Sequence, residues 1–241
     1  MKIIFHPANE RGHANHGWLD AHHSFSFARW YHPEKIHFGA LRVLNDDIIA
    51  VGEGFGTHPH DNMEIVTIPL KGIVAHKDST GGKGLIKAGE IQIMSAGTGV
   101  EHSEFSDPSS TEDTNLLQIW IFPKKDNIQP RYDQRKFDEI GRKNQWQIIV
   151  SPNEQDDALW INQDSVLSRT DLDSGVSLNY NFHFKGNGVY IFVIEGSIEI
   201  NGQRLGKRDA IGISETDFFE IKATSDAQIL AIEVPMIKVH M

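Results

Sequence analysis

Two short motifs in the N-terminal half of the chain carry residue types that could bind a metal ion. His58 and His60 form one pair, and His102 and Glu104 form the other, each separated by a single residue. Because side chains at i and i+2 of a β-strand point to the same face, two neighbouring strands would bring three imidazoles and one carboxylate together. Nitrogen and oxygen ligands without sulfur suit a divalent transition metal. The spacing therefore predicts a mononuclear metal site inside a β-structure.

The fourth ligand is open on spacing alone. Glu64 lies four residues after His60, on the same face of the predicted strand, and is the alternative to Glu104. Pro59 stands between the two histidines of the first pair and has no N–H to donate to a neighbouring strand. We therefore expect that strand to lie at a sheet edge or to be bulged.

The segment from residue 9 to residue 27 contains four further histidines, His13, His16, His22 and His23. A second metal site is one hypothesis for them. Their spacing follows no regular ligand pattern, so we expect them to make hydrogen bonds, with Trp18, Phe25 and Phe27 packing against the barrel.

Composition bounds the class of protein. The 241 residues, 39% of them apolar and 23% charged, are enough for one large β-domain or two of ordinary size. Eleven of the 13 histidines precede position 103. This asymmetry places the chemistry in the N-terminal half.

Several classes of protein are disfavoured by what the sequence lacks. No cysteine is present, which excludes disulfides, iron–sulfur clusters and zinc–thiolate sites. No apolar run approaches the roughly 18 residues of a membrane-spanning helix, and the first residues lack a secretory signal. The net charge of −10 argues against direct binding to nucleic acid. We therefore expect a cytoplasmic protein without membrane or nucleic-acid partners.

Short β-branched and aromatic runs separated by Gly, Asn, Asp and Pro predict an all-β fold of antiparallel strands. Apolar and polar residues alternate over Leu178–Phe184, as in a half-buried strand. Asn201–Gly202 is typical of a type I′ hairpin turn. The best helix candidate is short and spans Arg131–Phe137.

An internal repeat indicates two related halves. Met63–His76 and Asn187–Ile200 align without gaps on Gly72 and Gly196, each as an apolar strand, a glycine turn and a second strand. The polar stretch Glu139–Asn144 is the expected join. We therefore predict an N-terminal metal-binding domain over residues 1–138 and a related domain over residues 139–241.

In the same ungapped alignment, the positions of His58 and His60 correspond to apolar residues in the second copy. Phe182 aligns with His58, and Phe184 aligns with His60. The C-terminal domain is therefore predicted to lack metal ligands.

With these residues in view, the chain resembles the pirin family, bicupins of the cupin superfamily. Gly52–Gly72 resembles the first cupin motif, G-x5-H-x-H-x3-E-x6-G, with one extra residue before its last glycine. The segment S-A-G-T-G-V-E-H-S-E resembles the pirin form of the second motif. The likeness covers the whole chain and is most specific in residues 9–132. It implies two tandem cupin (jelly-roll) β-barrels.

The resemblance also implies the ligand set. The family's ligands fall on His58, His60, His102 and Glu104, which favours Glu104 over Glu64 as the fourth ligand. One divalent transition metal is expected, with Fe(II) first, although three histidines and a glutamate also accept Mn, Co, Ni, Cu or Zn.

The blocks R-G-H-A-N-H-G-W-L-D and G-F-G-T-H-P-H resemble bacterial pirins with quercetinase activity. The implied function is a quercetin 2,3-dioxygenase, which cleaves a flavonol with O2 and releases CO. Glu104 would then act as ligand and as the base that takes the substrate proton. Four aromatic residues are candidates for contact with a flat substrate: Trp18, Phe25, Phe27 and Phe55.

The alternative is a regulator without catalysis. Eukaryotic pirins are iron-binding coregulators of transcription that act through protein partners, and the acidic charge of this chain suits a protein partner. Oxygen uptake with quercetin by the metal-loaded protein would discriminate between the two functions.

Overall fold

The computed structural model describes residues 1–237, which fold almost entirely into antiparallel strands. The strands form four sheets, two with seven strands and two with four. Within the described range the only helices are two 3₁₀ turns, Ala8–Glu10 and Glu139–Arg142, and neither is long and apolar enough to cross a membrane. Each seven-stranded sheet pairs with one four-stranded sheet. This confirms the predicted all-β fold of two tandem barrels.

The strands of the first half run from residue 2 to residue 136. In chain order they are β1 (Lys2–His6), β2 (Gly12–Asn15), β3 (Leu19–His23), β4 (Leu41–Ile49), β5 (Gly54–His60), β6 (Glu64–Lys71), β7 (Ile73–Asp78), β8 (Lys83–Lys87), β9 (Glu90–Ser95), β10 (Val100–Ser106), β11 (Thr114–Ile121) and β12 (Arg131–Lys136). The first barrel combines a sheet of order β12-β9-β6-β11-β4-β3-β2 with a smaller sheet of order β5-β10-β7-β8. Strand β5, which contains Pro59, lies at an edge, as expected.

The strands of the second half are β13 (Gln147–Ser151), β14 (Leu159–Trp160), β15 (Val166–Leu172), β16 (Ser177–Asn181), β17 (Asn187–Glu195), β18 (Ile198–Ile200), β19 (Gln203–Leu205), β20 (Ala210–Ser214), β21 (Phe218–Ala223) and β22 (Ala227–Pro235). The large sheet has the order β1-β20-β17-β22-β15-β13-β14, and the small sheet has the order β16-β21-β18-β19. Strand β1, although first in the chain, thus belongs to the second barrel, where Lys2 pairs with Ser214 and His6 with Ala210. The boundary between residues 138 and 139 stays a prediction.

The two large sheets pack against each other through one buried apolar cluster that contains residues of both barrels. From the first barrel it includes Val66, Ile68, Leu117 and Ile119, and from the second Tyr190, Phe192, Leu230 and Ile232. Alternate residues of β17 and β22, such as Ile191 and Ile229, belong to a separate cluster inside the second barrel. Since successive strand residues point to opposite faces, each large sheet has one face toward its own barrel and one toward the other.

The interiors of the two barrels differ in polarity. The second is filled by apolar side chains, against which Phe182 packs as a partly buried residue. Among residues 1–237, the first has two small apolar clusters, one around Ile86 and Leu116 and one around Met94 and Val100. Between them lie polar side chains, which makes the first barrel the place for chemistry. The absence of metal ligands from the C-terminal domain stays a prediction.

The turns agree with the repeat seen in the sequence. Asn201 and Gly202 both have positive φ, 48° and 79°, and join β18 to β19 in the expected hairpin. Gly72 and Gly196 occupy equivalent turns with φ of 71° and 80°. A Cβ at Gly196 would lie 1.9 Å from the carbonyl oxygen of Asp226, so only glycine fits there.

The helix predicted over Arg131–Phe137 is wrong. The segment forms β12, which pairs with β9 over six residues from Arg131–Ser95 to Lys136–Glu90. Its sequence is polar and has neither a helical nor a strand period. Its conformation follows from backbone hydrogen bonds to β9 at the edge of the large sheet, which a local pattern does not reveal.

Candidate metal centre

Three histidines meet where β5 and β10 pair inside the first barrel. His58 lies directly opposite His102, and two residues later His60 lies opposite Val100. The imidazole centroids of His58, His60 and His102 are separated by 4.4–4.9 Å. One ring nitrogen of each lies within 4.8 Å of the others. The i, i+2 spacing thus places both members of the first pair and one of the second at a common point.

The nitrogens of these rings are available as ligand atoms. The Nδ1–H of His58 donates to the carbonyl of Gly56 at 2.7 Å, so its Nε2 carries the free lone pair. Nε2 of His60 and both ring nitrogens of His102 are buried without a hydrogen-bond partner among the described residues. Buried polar atoms are rarely left unpaired, because this costs about 1–3 kcal/mol each. A bound cation is the partner that such a group of lone pairs fits.

Burial also keeps two of the rings neutral. Desolvation, reinforced by the neighbouring His58, lowers the pKa of His60 to about 4 and that of His102 to about 3. A neutral imidazole is the form that binds a metal. At neutral pH, His60 and His102 are therefore unprotonated and able to coordinate a metal.

Glu104 lines the same cavity but is held by three donors of the large sheet. Its Oε1 accepts from the hydroxyl of Thr67 at 3.0 Å and from the amide of Gln92, and its Oε2 accepts from the amide of Gln118 at 2.6 Å. The group of three histidines does not include it. Glu104 instead forms a second potential ligand group with His102 and His76.

The hydrogen bonds leave Glu104 little spare capacity. A carboxylate offers about four lone-pair positions, and three donors occupy three of them. The hydroxyl of Thr67 also lies 3.1 Å from Oε1 of Gln118, and one hydroxyl hydrogen can serve only one acceptor. Rotation of this hydroxyl toward Gln118 would free a second position on Glu104. The carboxylate can thus accept a metal or a proton at one position without losing its anchors.

A buried histidine and a buried aspartate lie behind Glu104. Nε2 of His76 is 2.9 Å from Oδ2 of Asp78, and its Nδ1 is 3.9 Å from Oε1 of Glu104. The ring of His76 stacks on Tyr132 at 4.6 Å. The aspartate orients the imidazole toward the carboxylate.

Glu64 is directed elsewhere. It accepts from the hydroxyl of Ser95 at 2.8 Å and from the backbone N–H of Asn162 at 3.2 Å, a residue of the second half. Burial raises the pKa of the Glu64 carboxyl. The alternative ligand therefore joins the two barrels rather than the three histidines.

A cavity of about 240 Å³ opens onto the histidines. It is lined by Phe27, Asn45, Asp47, Phe55, His58, His60, His102, Glu104, Gln118 and Trp120. Of the four aromatic candidates from the sequence, Phe27 and Phe55 line it, Trp18 packs on the edge of Phe55, and Phe25 belongs to the cluster between the barrels. A wider groove of about 520 Å³ continues outward from His60 and Trp120.

The histidines of the N-terminal block make local contacts. Nε2 of His13 lies 2.6 Å from a carboxylate oxygen of Asp20, and the ring of His13 stacks on His22 at 4.5 Å. His23 contacts Asn45 through Nδ1 at 2.9 Å. The expected side-chain hydrogen bonds are thus present for His13 and His23. His13, Asp20 and His22 also lie close enough together to hold a cation.

Several residues of the site were missed by sequence reasoning. They are Asn45, Asp47, Thr67, His76, Gln92 and Gln118. Three of them, Thr67, Gln92 and Gln118, share one signal, a polar residue between two apolar neighbours within a strand of the large sheet. A polar residue at an inward-facing strand position needs a partner, and this could have identified the lining of the site.

Comparison with known protein families matches both halves of the chain. Residues 4–121 match the Pirin family model, and residues 148–234 match the model described as the quercetinase C-terminal cupin domain. Quercetin 2,3-dioxygenase of Escherichia coli strain K12 is 47% identical over 233 residues, which are 97% of this chain and 99% of the relative. A pirin-like protein of Caulobacter vibrioides is 38% identical over 94% of this chain and 97% of its own length.

Solved structures of bacterial relatives have the same fold as this chain. YhhW from Escherichia coli superposes with a TM-score of 0.93 at 46% identity, covering 99% of this chain and all of that one. A second structure, of the bacterial pirin YhhW in complex with nickel(II), has a TM-score of 0.91 at 45% identity and covers 98% of this chain and all of that one. The overlap extends over both barrels and confirms the two-cupin architecture.

Proposed function

The chain belongs to the pirin family, and from this premise we propose that it is a metal-dependent quercetin 2,3-dioxygenase, which cleaves a flavonol with O2 and releases CO. The observation that carries the proposal is the group of three imidazoles, one buried and two half-buried, at the end of a cavity lined by aromatic rings; buried nitrogens of His60 and His102 have no hydrogen-bond partner among the described residues. The relative of that name at 47% identity over nearly the whole chain supports the substrate class.

The proposed ligands are His58, His60, His102 and Glu104, which would hold one divalent metal. The donor set of nitrogens and one carboxylate accepts several metals of the first transition series. Fe(II) is the first candidate from the family resemblance, and the nickel(II) complex of YhhW makes nickel the second.

The metal, when bound, supplies a Lewis acid that lowers the pKa of a flavonol hydroxyl and organises the reacting groups. The chain's own residues do the rest. Glu104 is the proposed base, because its carboxylate lines the cavity beside the histidines and can accept a proton at its free position. Phe27, Phe55 and Trp120 provide apolar walls for a flat ring system and exclude water from the carboxylate.

The test is oxygen consumption with quercetin. Metal-free protein would be loaded separately with Fe(II), Ni(II) or Mn(II), and O2 uptake and CO release would be followed together. We expect turnover with at least one metal, one CO released for each O2 consumed, and none in the His60→Ala variant. Stoichiometric metal binding without O2 uptake for any of the three metals would refute the enzyme and favour the alternative of a metal-dependent regulator.

A further inference from the structure

A buried carboxyl of the cavity has no role in the proposed metal site. Asp47 lies on β4 and lines the cavity together with the three histidines. Its side chain is buried, and Oδ1 has no hydrogen-bond partner among the described residues. A fold that left such a group unpaired would lose stability for no gain, which points to a partner that arrives from outside.

The surroundings of Asp47 favour its neutral form. Burial, followed by the charge of Asp46, raises the pKa of the Asp47 carboxyl to about 8. A protonated carboxyl carries one O–H donor and keeps an acceptor oxygen. Such a group suits a hydroxyl or carbonyl of a neutral ligand better than it suits a cation.

Asp47 is placed across the barrel from the histidines. It lies on the large sheet, whereas His58, His60 and His102 lie on the small sheet. Asn45 stands two residues earlier on β4, on the same face, and also lines the cavity. The side-chain oxygen Oδ1 of Asn45 lies 2.9 Å from Nδ1 of His23, and this contact fixes the Asn45 side chain. The wall that faces the histidines thus carries two neighbouring polar groups.

We propose that Asp47, assisted by Asn45, binds a hydroxyl of the substrate that is remote from the metal-binding end, and so selects polyhydroxylated flavonols. This inference rests on the proposed function and names which members of the flavonol class the cavity accepts. A flat polyphenol that reaches the histidines at one end presents further hydroxyls to the opposite wall. A hydroxyl there would supply the missing partner of the carboxyl.

The test compares two ligands that differ only in remote hydroxyls. Quercetin and 3-hydroxyflavone share the end that would face the metal, but the second lacks every other hydroxyl. Binding of each to nickel-loaded protein would be measured without O2, by quenching of tryptophan fluorescence or by calorimetry. Because no turnover occurs, the dissociation constant reports binding alone.

The informative variants are Asp47→Leu and Asp47→Asn. A single neutral hydrogen bond accounts for about a three- to tenfold change in affinity. We expect Asp47→Leu to weaken quercetin binding by about that factor and to change 3-hydroxyflavone binding less than about twofold. Asp47→Asn keeps a donor and an acceptor, so it should restore most of the quercetin affinity.

Stability provides a readout that separates binding from structure. Since the carboxyl is buried without a partner at Oδ1, Asp47→Leu should leave the melting temperature unchanged or raise it. The adjacent Asp46 is the matched control. Its carboxylate contacts Arg208 at 2.7 Å and Arg11 at 3.6 Å. Asp46→Asn should therefore lower the melting temperature, in contrast to Asp47→Leu.

The outcomes distinguish this inference from the function on which it rests. Wild-type protein that binds neither flavonol refutes both. If the wild type binds quercetin, but Asp47→Leu changes the dissociation constants of both ligands equally or of neither, the role of Asp47 is refuted and the proposed function is not. A lower melting temperature of Asp47→Leu with equal loss of both ligands would assign the carboxyl to structure.

Discussion

Gln118 donates a hydrogen bond from its side-chain amide to Oε2 of Glu104 at 2.6 Å, and this contact spans the two sheets of the first barrel. Thr67 and Gln92 reach the same carboxylate from neighbouring strands of the large sheet. All three donors are neutral. They hold the carboxylate in a fixed orientation without cancelling its charge.

Replacement of Glu104 by Gln tests its proposed role as the base. The amide keeps an oxygen and the size but removes the charge, and its NH2 group would face the amide donors of Gln92 or Gln118. We expect quercetin turnover to fall by about two to four orders of magnitude, the usual contribution of general acid–base catalysis. Turnover per bound metal, measured at saturating metal, checks this.

The saturation step separates the base from the ligand. If Glu104 only anchored the metal, excess metal would restore the activity of Glu104→Gln. Full activity at saturation would remove Glu104 as the base.

The metal content of purified protein tests the histidine cluster. We expect about one equivalent of divalent metal in the wild type and most of it lost in His60→Ala or His102→Ala, because each variant lacks one of the four proposed ligands. His13→Ala is the control, since His13 lies in the separate contact with Asp20 on the surface. Elemental analysis after dialysis measures all four proteins. Equal content in wild type and both ligand variants would exclude the site, and loss in His13→Ala would reveal a second one.

The cluster that joins the barrels should dominate stability. Phe192 is fully buried within it, so Phe192→Ala should lower the free energy of unfolding by about 3–5 kcal/mol through lost burial and a residual cavity. Phe218 is 61% exposed, and Phe218→Ala should change the free energy of unfolding by less than about 0.5 kcal/mol. Urea titration followed by tryptophan fluorescence gives both values. Similar losses in the two variants would contradict this packing.

His6 should make the protein less stable in mild acid. Its Nδ1 lies 2.8 Å from the hydroxyl of Tyr190, and burial, followed by the charge of Lys35, lowers the pKa of His6 to about 4. Between pH 6.5 and pH 4 the unfolded chain therefore binds a proton that the folded chain does not. The stabilising contribution of neutral His6 is complete above pH 6.5 and is lost as the pH falls.

The variant His6→Asn isolates this effect from other titrating groups. Asparagine keeps a polar atom near Tyr190 but does not titrate. At pH 5 the histidine contributes about 2 kcal/mol of acid destabilisation, so the loss of stability between pH 7 and pH 5 should be smaller by that amount in the variant. Parallel urea titrations of metal-free proteins at the two pH values measure the difference. Identical losses would show that His6 titrates normally when folded.

The features that sequence reasoning predicted are those encoded by local spacing. His58 and His60 share a face because strand geometry has a period of two, and Asn201–Gly202 forms its hairpin because few residues accept two consecutive positive φ values. Both follow from the residues themselves and their immediate neighbours.

The features that escaped depend on partners distant in sequence. Gln118 lies 14 residues from Glu104, and Thr67 lies 37 residues from it. The local sequence around Glu104 therefore does not indicate that either residue contacts it. Arg131–Lys136 has no period of its own and becomes a strand because β9 offers it a free edge. Asp47 reads as one of two adjacent acids, and only the fold shows that Asp46 pairs with arginines while Asp47 enters the cavity.

Lys2–His6 is an edge strand of the second barrel, so a fragment of the C-terminal half alone lacks one strand of its large sheet. A fragment that begins at the join between the halves would leave β20 with a row of unpaired N–H and C=O groups, a template for self-association. The isolated C-terminal half should therefore aggregate. A short synthetic peptide with the sequence of Lys2–His6 should bind that edge by strand addition, which makes this half a receptor for its own first strand.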